Sequence, residues 1–205
     1  MEERGLPGTL RVYGCAAEET EGAKVYMARE GLFSDLAAAL HWHPMAYAGV
    51  FNLRLAAMNQ LAVEFFGRTA HAGMEPWKGR SALHAAELFA HGINLMREHL
   101  EPTARVHYAF QRAGESPNVV PDYARVWLFV RDADRGRVEE TTRWVERIAE
   151  GAALATRTAS KVELRFGMYD LLPNGPLAER MQVHLERVGV PEWTEEEQRF
   201  ARECQ

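Results

Sequence analysis

The sequence predicts an α/β fold in which a β-α-β-β-α-β module is inserted between two pieces of another domain. Three observations predict it. Residues 60–66, 104–111, 123–131 and 161–168 alternate in polarity or are rich in β-branched and aromatic residues, as strands are. Residues 80–100 and 134–157 carry apolar positions at helical spacing. Residues 9–42 read as a separate strand–helix–strand unit, and the PNGP run at 173–176 breaks the chain before two closing helices. The order from 60 to 168 is the split βαβ, ferredoxin-like arrangement: one sheet with two helices on one face.

Each element has its own signal. Residues 9–13 form a short strand-like run, and residues 22–30 place Ala23, Tyr26, Met27 and Glu30 at helical spacing, with Gly31 as the terminating glycine. Residues 36–42 read as a buried strand ending at His43 and Pro44, and residues 45–55 as a connector. Residues 67–79 form a loop rich in Gly, Pro and His. The helix over 80–100 draws its apolar side mainly from Leu83, Ala86, Leu88, Ile93 and Leu95. In the strand over 104–111, Val106, Tyr108 and Phe110 share one face. Helices are predicted over 177–188 and 194–204, the second with a Thr194–Glu197 capping box.

Composition excludes several classes. Lys+Arg is 24 against Asp+Glu 29, a net charge of −5, so no basic surface for nucleic acid or an anionic membrane is expected. Apolar residues at 47% fit a soluble globular protein, and no run approaches the roughly 20 residues of a membrane helix. The two cysteines, Cys15 and Cys204, form no CxxC pair. With no signal-peptide pattern at the start, the expected compartment is the cytoplasm.

Three constellations carry chemistry. The first is Glu18, Glu19, His41 and His43, oxygen and imidazole groups that suit zinc, manganese or cobalt. If the strands over 9–13 and 36–42 are parallel neighbours, Glu19 and His43 can share one ion. Glu18 can then face a metal-bound water as general base. An acidic pair before a helix also reads as a solvated helix start. The second is His71, on a loop between glycines, where an idle exposed histidine is the alternative. The third is Asn118 with Arg131: a turn residue and a surface charge on one reading, a clamp for a substrate carboxylate on the other. His84, His91 and His99 lack the i, i+4 spacing of a metal pair and read as helix-surface residues.

The motifs GTLRVYGCAAEE (8–19), HWHP (41–44), GRTAHAGMEPWKGRSAL (67–83) and SPNVVPD (116–122), in this order, resemble the metal-dependent aminoacylase/carboxypeptidase family of co-catalytic metallopeptidases, in its amidohydrolase branch. The resemblance implies a zinc-peptidase-like catalytic domain interrupted by a lid that also dimerises. The catalytic parts are then residues 1–55 and 171–205, and the lid is residues 56–170. It implies two divalent ions, zinc or manganese, and an N-acyl amino acid such as aminobenzoyl-glutamate as substrate. The amide bond is cleaved by a metal-activated water. Residue by residue, Glu18 resembles the general base, Glu19 and His43 metal ligands, and His71 the lid histidine that stabilises the oxyanion in a partner subunit. Asn118 and Arg131 resemble substrate-contacting lid residues, the arginine on the carboxylate. A homodimer through the lid is implied, with no nucleic acid or membrane partner.

The chain also departs from the family pattern. The Cys-Gly-His-type segment expected before the glutamate pair is absent, as is the late histidine of the second metal site. The expectation is therefore a central part of a longer enzyme. The alternative is a catalytically incomplete piece that acts only as a dimerisation or binding module.

Overall fold

The computed structural model describes residues 5, 7–18, 22–45 and 47–204. The chain divides into two compact units, Met1–Ala38 with Ala56–Asp170, and Ala39–Leu55 with Leu171–Gln205.

The first unit is built on four strands, β1 (Ala57–Phe66), β2 (Arg105–Arg112), β3 (Tyr123–Asp132) and β4 (Ala159–Met168). They form one antiparallel sheet in the order β2-β3-β1-β4. Helix α2 (Ala82–Arg97) connects β1 to β2, and α3 (Arg135–Thr156) connects β3 to β4. The chain order is thus β-α-β-β-α-β. The pleat sorts the side chains. Leu61, Val63 and Phe65 of β1, Val126, Leu128 and Val130 of β3 and Val106 of β2 are buried in one core with Phe89 and Ile93 of α2 and Val138 and Val145 of α3. The phenyl rings of Phe65 and Phe89 meet at 5.7 Å between centroids. At 25–30 cal/mol per Å2, each such aromatic ring or branched chain adds roughly 1.5–3 kcal/mol.

β1 begins beside the end of β4, with Met58 opposite Met168. A bulge between Gln60 and Leu61 shifts the register there. On the core face below it, Asn59 donates to Thr142 Oγ1 at 2.9 Å and accepts from Arg135 at 2.6 Å. Thr142 donates in turn to the Val138 carbonyl at 2.7 Å. This polar chain ties β1 to α3. Each long helix starts on a side-chain cap: Ser81 accepts from His84 N–H at 3.2 Å and Asp134 from Arg137 N–H at 3.0 Å.

The predicted helix over 22–30 is present as α1 (Ala23–Arg29). The predicted strands over 9–13 and 36–42 are not: among the described residues neither stretch pairs with a strand. A strand needs a neighbour to satisfy its ladder, and here Leu10 and Val12 are exposed. The 9–13 stretch instead packs on the turn that follows α1. Arg11 pairs with Asp35 at 2.6 Å, and Tyr13 meets Phe33 edge to face at 5.1 Å while donating to the Leu32 carbonyl at 2.9 Å.

The second unit carries α4 (Gly175–Val188) and α5 (Glu195–Glu203). Asn174 caps α4, and the predicted Thr194–Glu197 capping box opens α5. Among the described residues no helix is long and apolar enough to cross a membrane.

Candidate functional site

Two loops at one end of the sheet carry predicted site residues. One follows β1 and holds His71; the other precedes β3 and holds Asn118. Sequence places them 47 residues apart, yet the backbone zips them together. Gly67 N–H donates to the Asp122 carbonyl at 2.7 Å, Val120 N–H to the Ala70 carbonyl at 2.9 Å, and Ala72 N–H to the Asn118 carbonyl at 2.9 Å. His71 and Val119 form a bridge pair. The first loop also closes on itself, with Arg68 and Arg80 exchanging both backbone hydrogen bonds at 2.8 Å.

That closeness depends on two glycines. A Cβ on Gly67 would stand 2.0 Å from the Arg80 carbonyl oxygen, and one on Gly79 would stand 2.9 Å from Val120 and 3.0 Å from Ala70. The chains approach this near only because neither position has a side chain.

His71 and Asn118 are both exposed. His71 Nδ1 accepts from the Gly73 N–H at 3.2 Å, and the His71 carbonyl accepts from Met74 and Glu75 N–H in the same turn. The Asn118 side-chain carbonyl accepts from the Ser116 hydroxyl, and Asn118 Nδ2 has no partner among the described residues. An open cleft of about 740 Å3 lies beside the pair, lined in part by Arg80, Ser81, His84, Ser116 and Val120. His71 and Asn118 are outside its lining.

Arg131 is not brought to this end. It lies eight residues along β3 from Tyr123, opposite Met58 and Arg105, with its guanidinium 5.4 Å from the Phe129 ring centroid. At strand rise this is roughly 26 Å from the loop end.

Sequence reasoning missed a polar pair nearer the loops. Tyr123 donates to Glu64 at 2.5 Å, and the Arg112 guanidinium lies 5.5 Å from the Tyr123 ring centroid. Partial burial, followed by the Glu64 carboxylate, raises the Tyr123 hydroxyl above its ordinary value of 10.0. The signal was available: Glu64 is the one charged residue in β1.

Of the predicted metal-site residues, Glu18 is exposed and pairs with Lys24 at 3.2 Å. Glu19 lies outside the described residues. His43 belongs to the second unit, where its Nδ1 lies 2.9 Å from the Pro44 carbonyl, a bond that leaves Nε2 as the ligating nitrogen. Among the described residues no three His, Cys, Asp or Glu side chains gather where they could hold an ion. Single donors of suitable chemistry are present, and among the described residues, which exclude Glu19, they do not form a metal-binding set.

Comparisons with known proteins bear on the whole chain. Residues 57–157 match the peptidase dimerisation domain. The chain is 45% identical to one of the p-aminobenzoyl-glutamate hydrolase subunits of Escherichia coli K12, over 100% of this chain and 43% of that protein. It is 28% identical to the Xaa-Arg dipeptidase of Mus musculus, over 90% of this chain and 43% of that protein. A solved aminobenzoyl-glutamate utilization protein from Klebsiella pneumoniae shares the fold, with a TM-score of 0.54 at 23% identity over 65% of this chain and 34% of that one. The chain belongs to the amidohydrolase/peptidase family that carries the peptidase dimerisation domain. It spans less than half the length of the curated relatives it matches.

Proposed function

We propose that this chain is the lid-bearing part of a metal-dependent amidohydrolase. It cleaves the amide bond of aminobenzoyl-glutamate or a similar N-acyl amino acid with a metal-activated water. The observation that carries this reading is the backbone pairing of the two loops that hold His71 and Asn118, inside the region that matches the peptidase dimerisation domain. Two exposed hydrogen-bonding side chains, on loops tied to each other by backbone bonds, suit the stabilisation of charge developing on a carbonyl oxygen. The strand order β2-β3-β1-β4 supports a ferredoxin-like lid over residues 56–170. Residues 1–55 and 171–205 then belong to the catalytic domain, which functions in the cytoplasm.

In this reading Glu18 takes the proton of the attacking water and passes it to the leaving amine. Glu19 and His43 supply two donors to a zinc or manganese site that needs others besides. Arg131 recognises the substrate carboxylate. The roughly 26 Å along β3 is longer than such a substrate, so one chain cannot apply His71 and Arg131 to the same molecule. A homodimer resolves this, with His71 and Asn118 of one copy meeting a substrate held by Arg131 of the other.

The test is amide hydrolysis by the catalytically active protein loaded with zinc or manganese, compared with Glu18→Gln. A loss of about 10²–10⁴-fold in kcat is expected, and undiminished turnover would remove Glu18 as the base.

A second reading, a dimerisation or binding module without its own chemistry, is favoured by the missing metal-binding set among the described residues. It predicts a dimer of the 205-residue chain with no hydrolysis at any metal concentration. A monomer by light scattering at tens of micromolar would count against it.

A further inference from the structure

The His71 ring is held by its own loop. Its Nδ1 accepts a hydrogen bond from the Gly73 backbone N–H at 3.2 Å. A ring nitrogen that accepts carries no proton, so in the neutral imidazole the proton sits on Nε2. The surroundings fix the donor. Met74 and Glu75 N–H both donate to the His71 carbonyl, at 3.3 and 3.0 Å, which curls the turn so that the Gly73 N–H faces back to the ring. The Ala72 N–H bond to the Asn118 carbonyl at 2.9 Å anchors the same turn against the second loop.

We propose that Gly73 is a positioning residue whose backbone N–H locks neutral His71 as the Nε2–H tautomer, presenting Nε2–H as a hydrogen-bond donor. The inference deepens the proposed function and rests on it where it assigns that donor to an oxyanion. The tautomer lock itself stands on the loop geometry alone. A neutral imidazole free in water exchanges its proton between the two nitrogens. A fixed tautomer removes the fraction of molecules that would offer a lone pair to a developing negative charge.

The decisive measurement needs no variant. In the 15N-labelled 205-residue chain, with the ring neutral, a scalar coupling across the hydrogen bond is expected between Gly73 N and His71 Nδ1. The His71 nitrogens should then read as unprotonated at Nδ1 and protonated at Nε2. Absence of the coupling together with averaged ring nitrogens would overturn the lock. Gly73→Ala keeps the N–H, and its Cβ would meet the ring at an ordinary 3.5 Å, so the coupling should persist. Gly73→Pro removes the N–H, and the ring nitrogens should move toward the averaged values; unchanged nitrogens there would also overturn the lock. Activity separates the two layers. A lower kcat at unchanged KM in Gly73→Pro, restored in Gly73→Ala, supports the catalytic reading. A relaxed tautomer with full kcat leaves the lock standing and overturns its assignment to catalysis.

Discussion

His71 and Asn118 are the side chains from which activity should be most sensitive to small change. Loss of one oxyanion donor typically costs about 10²–10³-fold in kcat. His71→Ala and Asn118→Ala are each expected in that range, with melting temperature preserved because both side chains are exposed. Gly67→Ala should behave in the opposite manner. Its Cβ would meet a backbone oxygen that has no rotamer to escape into, so a loss of about 1–3 kcal/mol is expected in urea unfolding. Tyr123 sets a pH limit. A group whose value is raised by folding contributes stability that is whole below its ordinary value of 10.0 and is lost as pH rises through the folded one. Stability should therefore fall more steeply above pH 10 in the native chain than in Tyr123→Phe. That variant should itself cost about 1–2 kcal/mol at neutral pH by taking a donor from Glu64.

At the scale of elements, α3 is fastened to β1 by polar bonds as well as apolar burial. Asn59→Leu would take an acceptor from Arg135 and a donor from Thr142, leaving Arg135 its pair with Glu139 and Thr142 its bond to Val138, at a cost of about 1–3 kcal/mol. Asp134→Ala removes only a cap and should cost about 1 kcal/mol, with the helix fraying at its first turn in amide exchange. These elements differ in how openly the sequence announced them. The alternation of Val126, Leu128 and Val130 and the helical spacing over 134–157 are local patterns that agree with the final packing, so strand and helix were readable. The Asn59–Thr142 bond joins positions 83 residues apart, and nothing local marks either as a partner. The 9–13 and 36–42 stretches fail for the same physical reason. Alternation shows that a segment can be a strand, while only a neighbouring ladder makes it one. The site divides similarly: His71 and Asn118 stood out by their loops, but the approach of those loops to one another depends on Gly67 and Gly79, whose small size matters only after folding.

For the molecule as a whole, the proposed roles of His71 and the distant Arg131 would make function a property of association. Mixing His71→Ala with Arg131→Ala copies gives a direct check. Each alone should be inactive, and dimers that contain one of each retain one intact composite site. Co-expression should therefore restore a fraction of the native rate, approaching half within the mixed dimers. Failure of the mixture to recover would argue that each chain acts alone.

The pairing of Met58 with Met168 has a topological consequence. The chain enters and leaves the four-stranded module on adjacent strands, about 5 Å apart. A host domain that accepts the module therefore sees it as a pendant held at one point, and its own path is hardly displaced. The two ends can be spliced directly by a short linker and new termini opened in the exposed 113–117 loop. Such a rewired chain should still fold into the same sheet, which would make the module transferable between hosts as a single part.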